Sequence, residues 1–192
     1  MRNRTAFALS AAAALLVQPQ LAAAQQACIA EDEVSAMAIY AVPSMVRAME
    51  LTCGAQLSQS GWLASDGAAL ASRYAGMQGR VWPKAKNGLL KIVNGQVGGQ
   101  VGGRVGDRGM DPQAAQTLAL VANLPDENVR PLVDALIVQE VSAKIPVADC
   151  GKIERMMAAI APIEPEVAGT LIGAIAGMFA EQQPLICPAP PR

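Results

Sequence analysis

The sequence predicts an all-α protein, an irregular bundle of five to seven helices. Apolar residues recur at steps of three and four through most of the chain, as on one face of a helix. Apart from a brief Val/Gly repeat, no stretch shows the alternation and β-branched enrichment of a strand. Prolines and glycines divide these periodic segments, so we expect helices of unequal length joined by short connections.

Residues 1–24 have the features of a secretory signal peptide. Arg2 and Arg4 give a charged start, an apolar run follows, and three alanines ending at Ala24 form a small-residue cleavage site. The apolar run is shorter than the ~20 residues of a membrane span. We therefore expect export to the periplasm or the medium, cleavage near Ala24, and a single helical domain at residues 25–192.

Charge and composition argue against several classes of ligand. Without Arg2 and Arg4, 13 basic residues face 16 acidic ones, a net charge near −3. A chain without a basic field is poorly suited to nucleic acid or anionic lipid. Aromatic residues make up 3% of the chain, which is few for a sugar-binding cleft. The absence of histidine removes the commonest general base and zinc ligand, so we expect no metal and no cofactor.

Four cysteines follow the predicted signal, and an even number in an exported chain predicts two disulfides. They are isolated, so neither a redox pair nor a metal cluster is indicated. Cys28 and Cys53 bracket the first predicted helix, which would hold them about 35 Å apart if continuous. Disulfide-bonded Cα atoms lie within about 7 Å. A continuous helix therefore pairs each with Cys150 or Cys187, whereas a hairpin at Pro43 would favour Cys28–Cys53 and Cys150–Cys187.

The first predicted helix covers residues 28–53. Three acidic residues at positions 31–33 suit the positive end of the helix dipole, and Gly54 suits a C-terminal cap. Pro43 removes a backbone donor, but the apolar stripe continues through it in register. We therefore favour one bent helix over a hairpin. The stripe consists of Val34, Met37, Ala38, Ala41, Met45, Ala48 and Met49.

A loop is predicted at residues 54–65, after which Ser65 or Asp66 caps a second helix. Its apolar positions continue to Ile92, with a kink expected near Pro83. Further helices are expected on the same grounds. They are a short helix at 112–122, one from about 126 to 141, one from 150 to 161 capped by Asp149, and one at 167–180, before a proline-rich tail at 184–192.

The glycine-rich repeat at residues 95–109 is the main compositional break. Its seven glycines would each cost about 1 kcal/mol in a helix, so a flexible loop is expected. The alternatives are close helix packing through its Gly-x-x-x-Gly series, or membrane insertion. The last helix repeats that spacing at Gly169, Gly173 and Gly177. Its uncharged run of 14 residues is too short to span a bilayer, so we expect a buried core helix.

Acidic residues are the remaining candidates for catalysis. The three sets that look like pairs all lie at predicted helix starts, where the helix dipole favours acids and capping explains them. Asp134 and Glu140 lie between apolar stripe positions and are expected to be solvated. The sets are Glu31/Asp32/Glu33, Asp126/Glu127 and Glu164/Glu166.

Aromatic and methionine side chains could line a small pocket, since methionine suits adaptable apolar surfaces. Ordinary core filling by the helix stripes is the simpler interpretation, and we expect it. The residues concerned are Tyr40, Trp62, Tyr74, Trp82, Met37, Met45, Met49 and Met77.

Taken together, these patterns favour an exported, non-enzymatic interaction or binding module of unknown ligand, with an envelope protein as a possible partner. One alternative is a hydrolase that uses paired carboxylates on cell-envelope polymers. Another is a membrane-active protein that uses its Gly-x-x-x-Gly helices, although membrane association is not expected.

Overall fold

Five helices make up most of the computed structural model, which describes residues 28–97, 124–179 and 186–187. They are α1 (Glu31–Cys53), α2 (Trp62–Val97), α3 (Asp126–Lys144), α4 (Cys150–Ile160) and α5 (Pro165–Met178). A 3-10 turn, Val147–Asp149, precedes α4. Among the described residues there is no strand, only one isolated parallel bridge between Ile29 and Ile186. The all-α prediction is confirmed.

Helix α1 is the central element, because α2, α3 and α5 all pack against it. It continues without interruption through Pro43, as the unbroken apolar stripe predicted. Acidic residues fill its first turn, and Gly54 follows its last residue. The hairpin alternative at Pro43 is therefore wrong.

The two disulfides follow from the continuity of α1. Cys28 pairs with Cys187 and Cys53 pairs with Cys150, with Cα atoms 5.1 and 5.6 Å apart. The Cys28–Cys187 bond ties the C-terminal tail to the segment just before α1. The Cys53–Cys150 bond ties the end of α1 to the start of α4. Two structural disulfides indicate an oxidising, extracytoplasmic compartment.

The core consists of two clusters of buried residues, and α1 contributes to both. Where α1, α2 and α3 meet, the buried residues are Ala36, Tyr40, Trp82, Ala85, Val129 and Val133. Toward the second disulfide, the buried residues are Ile39, Val46, Met49, Cys53, Leu63, Leu70, Tyr74, Cys150 and Met157.

The aromatic and methionine residues are divided between these clusters and do not share one pocket. The rings of Tyr40 and Trp82 pack together, tilted by 41° with 4.9 Å between their centroids, while Tyr74 and Met49 lie in the second cluster. Core filling is confirmed for these four, but Met45 is exposed. Three others pack against the clusters while partly buried, and they are Met37, Trp62 and Met77.

Helix α2 begins at Trp62, three residues before the predicted cap, so the predicted loop at 54–65 is too long. Ser65 does not cap the helix, since its hydroxyl contacts the Gly61 carbonyl one turn back. The backbone N–H of Leu63 instead donates to Glu154 Oε1 of α4 at 2.9 Å. An acceptor 91 positions away satisfies the first turn, and no local sequence signal reports it.

Helix α2 ends at Val97, so its last turn overlaps the first three positions of the predicted glycine loop. Continuing a formed helix needs no new nucleation, and one glycine at position 95 adds only about 1 kcal/mol. The rest of the repeat at 98–109, the predicted short helix at 112–122 and the predicted signal at 1–24 lie outside the described residues.

Candidate functional site

The four cysteines are all held in disulfides, so none supplies a thiol for catalysis or metal binding. Within the described ranges, no three Cys, Asp or Glu side chains come together in a geometry that could hold a metal ion. The candidate chemistry therefore lies with the carboxylates and with the exposed surface.

Two of the three acids at the start of α1, Asp32 and Glu33, are engaged with lysines of α2. Glu33 accepts a hydrogen bond from the Ala30 backbone N–H at 2.8 Å, which is the predicted capping role. Both oxygens of its carboxylate also accept hydrogen bonds from Lys91 Nζ, at 2.7 and 2.9 Å. The side chains of this ion pair are largely buried. Asp32 pairs with Lys84 at 2.8 Å, and this contact lowers the pKa of Asp32.

The acids that open α3 and α5 also have basic partners on α2. Asp126 pairs with Lys86 at 2.7 Å, which lowers the pKa of Asp126, and Glu166 pairs with Arg80 at 2.5 Å. These acids lie in first turns, as predicted, but their cross-helix partners were missed. The antiparallel packing of α1 and α2 brings Lys84 and Lys91 to the start of α1.

The glycine series of α5 faces α1 and permits a very close approach. A Cβ atom on Gly169 would lie 2.6 Å from Ile39 Cδ1 and 2.7 Å from Ser35 Oγ. A Cβ on Gly173 would collide with the Glu31 carbonyl, and one on Gly177 with the Glu31 carboxylate. The three glycines are buried. The prediction of core packing is confirmed for this side of the helix.

The opposite side of α5 is an exposed apolar surface. A helix turns 100° per residue, so Val167, Leu171, Ala174, Ile175 and Met178 lie opposite the glycines. We call these five residues the α5 outer face. Apart from the small Ala174, they are 59, 52, 42 and 72% exposed in chain order. No residue that the structure describes covers this face.

Two large apolar residues extend the exposed surface beside the outer face. Ile172 is 46% exposed and Phe179, just after the helix, is 49% exposed. The helix carries no charge from Val167 to Met178. This distribution corrects the expectation of a buried core helix, because only the glycine side is buried.

A separate cleft of about 520 Å³ lies beside Pro43, between α1, α2 and α3. Ser44 Oγ donates to Asp134 Oδ1 at 3.4 Å across it. Pro43 has no N–H to donate to the Ile39 carbonyl one turn back. The neighbouring Tyr40 carbonyl accepts a hydrogen bond from Gln78 Nε2 of α2 at 3.0 Å. The lining residues are Pro43, Ser44, Arg47, Gln78, Asp134, Ala135, Val138 and Gln139.

Asp134 is half-buried in this cleft, which corrects the prediction that it is solvated. Burial raises the pKa of Asp134, while the nearby Tyr40 hydroxyl, the Ser44 hydroxyl and the charge of Arg130 oppose the rise. Burial, and then the Asp134 charge, raise the pKa of Tyr40 as well. Arg130 lies over the Trp82 ring at 5.2 Å, a cation–π contact. The sequence pattern missed this group because three helices contribute to it.

Glu140, the other acid expected to be solvated, pairs with Lys144 one turn later at 3.1 Å.

Within the residues described, no one helix combines the length and apolar composition of a bilayer crossing. Only Val147–Ile160 and Pro165–Met178 taken together reach them, at an angle of 114° to each other.

Comparison with protein-family models, with curated proteins and with solved structures finds no match to this chain. The case for a function therefore rests on the chain's own residues and contacts.

Proposed function

We propose that the chain is an exported helical interaction module that binds a partner protein through the α5 outer face. The observation that carries this proposal is the exposure of large apolar side chains along one uncharged helical face. Monomeric proteins rarely expose a contiguous apolar patch above a few hundred Å², and larger patches mark interaction sites. An apolar centre without charge is also the composition of an interface core.

The way α5 is held supports this role. Its glycine side is packed against Ser35 and Ile39 of α1. Beyond its end, the Cys28–Cys187 disulfide and the bridge between Ile29 and Ile186 return the chain to the start of α1. A helix fixed in this way presents its outer face already ordered, so little conformational entropy is lost on binding.

Export is part of the proposal. The charged start at Arg2 and Arg4, the apolar run and the alanines ending at Ala24 support a signal peptide, and the disulfides agree with an oxidising destination. Intact mass measurement of the secreted or periplasmic protein tests the proposed cleavage site. The expected result is a mature chain that begins near residue 25. A cytosolic, uncleaved chain would refute export.

The paired-carboxylate hydrolase has less support. Glycoside hydrolysis needs two carboxyl groups roughly 5–10 Å apart across one cleft. The lining of the cleft beside Pro43 carries a single carboxylate, that of Asp134. Each predicted set also has at least one acid engaged with a basic residue of α2, and these acids are Asp32, Glu33, Asp126 and Glu166.

Affinity capture with matched variants tests the interaction. The mature, oxidised protein is immobilised, incubated with cell-envelope extract, and its bound proteins are quantified by mass spectrometry. Leu171→Glu places a charge in the middle of the outer face, while Leu132→Glu makes the same change on α3 at a similar exposure, 46% against 52%. We expect Leu171→Glu, and not Leu132→Glu, to lose the specific partner. Equal capture by both variants and the wild type would refute the proposal.

A further inference from the structure

We infer that the partner of the α5 outer face is a second copy of the same chain, so that two α5 helices pair in a homodimer. This inference rests on the proposed function, because it names the partner of the same surface. Three properties of the face point to a second copy: the spacing of its apolar residues, its lack of charge and its area.

The spacing along the outer face is that of a helix-pairing seam. Val167, Leu171, Ala174 and Met178 follow one another at steps of four, three and four, which is the a/d pattern of two heptads. Such a seam accepts the side chains of one facing helix between its own. Ala174 is small and lies near the middle, which lets the two backbones approach each other closely. The geometry therefore fits a helix better than a flat surface or a small ligand.

The absence of charge on the face suits pairing with an identical copy. A symmetric interface places the same patch on both subunits, so any charge at its centre would face its own like. From Val167 to Met178 the helix has no charged residue. The nearest acid, Glu166, is already paired with Arg80 of the same chain. Two copies can thus meet without like-charge repulsion.

A lipid surface fits the face less well. Helices that lie in a bilayer interface usually carry Lys and Arg along their polar side. The start of α5 instead carries the acids Glu164 and Glu166. The net charge near −3 after removal of the predicted signal also disfavours an anionic membrane.

The area of the face predicts a dimer of moderate strength. At the exposures given above, the apolar side chains of the outer face with Ile172 and Phe179 leave roughly 600 Å² open, whereas a standard interface buries about 800 Å² on each partner. An interface at the lower end of the size range corresponds to reversible association. We expect a dissociation constant on the order of 1–100 μM.

Sedimentation velocity of the mature, oxidised protein from about 1 to 300 μM tests the dimer. We expect a monomer–dimer equilibrium in the wild type and in Leu132→Glu. Leu171→Glu should weaken dimerisation at least about tenfold, since it buries an unpaired charge. Val167→Glu is a second disruptive variant that should fold readily, because acids are favourable in a first helical turn. Circular dichroism verifies the fold of each variant.

The outcomes separate this inference from the proposed function. A wild type that stays monomeric throughout, or a Leu171→Glu variant that dimerises as well as the wild type, overturns the dimer. If the wild type is monomeric but Leu171→Glu loses a captured envelope protein, the dimer is refuted and the interaction module stands. A monomer that floats with phosphatidylcholine vesicles, and loses flotation in Leu171→Glu, would assign the face to lipid and refute both.

Discussion

Glycine at position 173 is the residue on which the placement of α5 depends most directly. A methyl group there meets the backbone carbonyl of Glu31, which cannot move aside as a side chain can. We expect Gly173→Ala to lower the free energy of unfolding by about 2–4 kcal/mol, measured by urea denaturation of the oxidised protein, because α5 must shift away from α1.

Gly76 is the matched control, since an added Cβ there has no neighbour within 4 Å. It lies on the exposed side of α2, so Gly76→Ala should raise the free energy of unfolding by about 0.5–1 kcal/mol through helix propensity and chain entropy. A loss at Gly76 equal to that at Gly173 would contradict the close-packing explanation.

Glu33 joins two tasks that the sequence presents as one. The capping of Ala30 could be predicted from its position, but the pair with Lys91 could not, because it depends on how α2 crosses α1. Glu33→Ala should lower the free energy of unfolding by about 2 kcal/mol, since a cap is lost and a largely buried lysine is left unpaired. Asp32→Ala breaks an exposed pair with Lys84 and should cost much less. Equal losses would place the effect in the helix dipole alone.

Asp134 gives a pH dependence of stability with a definite sign. Burial raises its pKa in the folded state above the ordinary value of 3.8. Between the ordinary pKa and the raised pKa of Asp134, the folded chain therefore binds more protons than the unfolded chain. The free energy of unfolding falls as pH rises through this range. Asp134→Asn removes this fall. The free energy of unfolding of the variant minus that of the wild type should therefore be larger at pH 7 than at pH 3.5. Urea denaturation of both proteins at both pH values measures this difference.

Asp32 supplies the opposite case as a control. Lys84 lowers the pKa of Asp32, so its contribution is present above the ordinary value and is lost as pH falls. The free energy of unfolding of Asp32→Asn minus that of the wild type should therefore be smaller at pH 7 than at pH 3.5. The same sign of change in both variants would mean that the cleft does not bury Asp134 as described.

At the scale of elements, the apolar stripes predicted which segments are helical, and their ends less well. In α1 the predicted stripe is not the buried face, because Ala36, Tyr40 and Val46 are buried and lie outside it. The unbroken stripe through Pro43 predicted one continuous α1, and that continuity limited the possible disulfides. The start of α2 was misplaced because its acceptor, Glu154, belongs to α4. Stripes report which residues share a helix face, whereas caps supplied from elsewhere depend on packing that a single sequence does not reveal.

The remote cap at the start of α2 can be tested by substitution. Glu154→Ala removes the acceptor for the Leu63 N–H and should lower the free energy of unfolding by about 1 kcal/mol, as other lost caps do. Hydrogen exchange should show the first turn of α2 opening more readily. Glu154→Gln keeps a carbonyl acceptor and should retain most of the stability. Unchanged exchange at Leu63 in Glu154→Ala would contradict the assignment.

The two faces of α5 show what periodicity could and could not predict. The glycine spacing and the uncharged run favoured a buried helix, and burial is found on the glycine side. A helix that is apolar all round gives no sign of which face its own chain covers. The exposure of the α5 outer face therefore depends on the packing of α1 against the glycines, which the sequence pattern does not reveal. The cleft beside Pro43 was missed for a related reason, since three helices build it.

At the scale of the molecule, α1 organises the fold. Three helices pack on it, and both disulfides join the chain beside its ends to distant parts of the sequence. Cross-links of this kind restrict the unfolded chain and help to stabilise a small fold in an oxidising compartment. The rigid frame leaves α5 with one side locked and the other side open, and the proposed function lies in that asymmetry.

The most direct measurement of this account compares partner capture by Leu171→Glu with capture by Leu132→Glu, after both proteins are shown to be folded and oxidised. Both residues are similarly exposed leucines, so a general effect of added charge would act on both alike. The account predicts that binding is lost only when the charge is on α5. Binding that persists in Leu171→Glu, or that is lost equally in both variants, would contradict it.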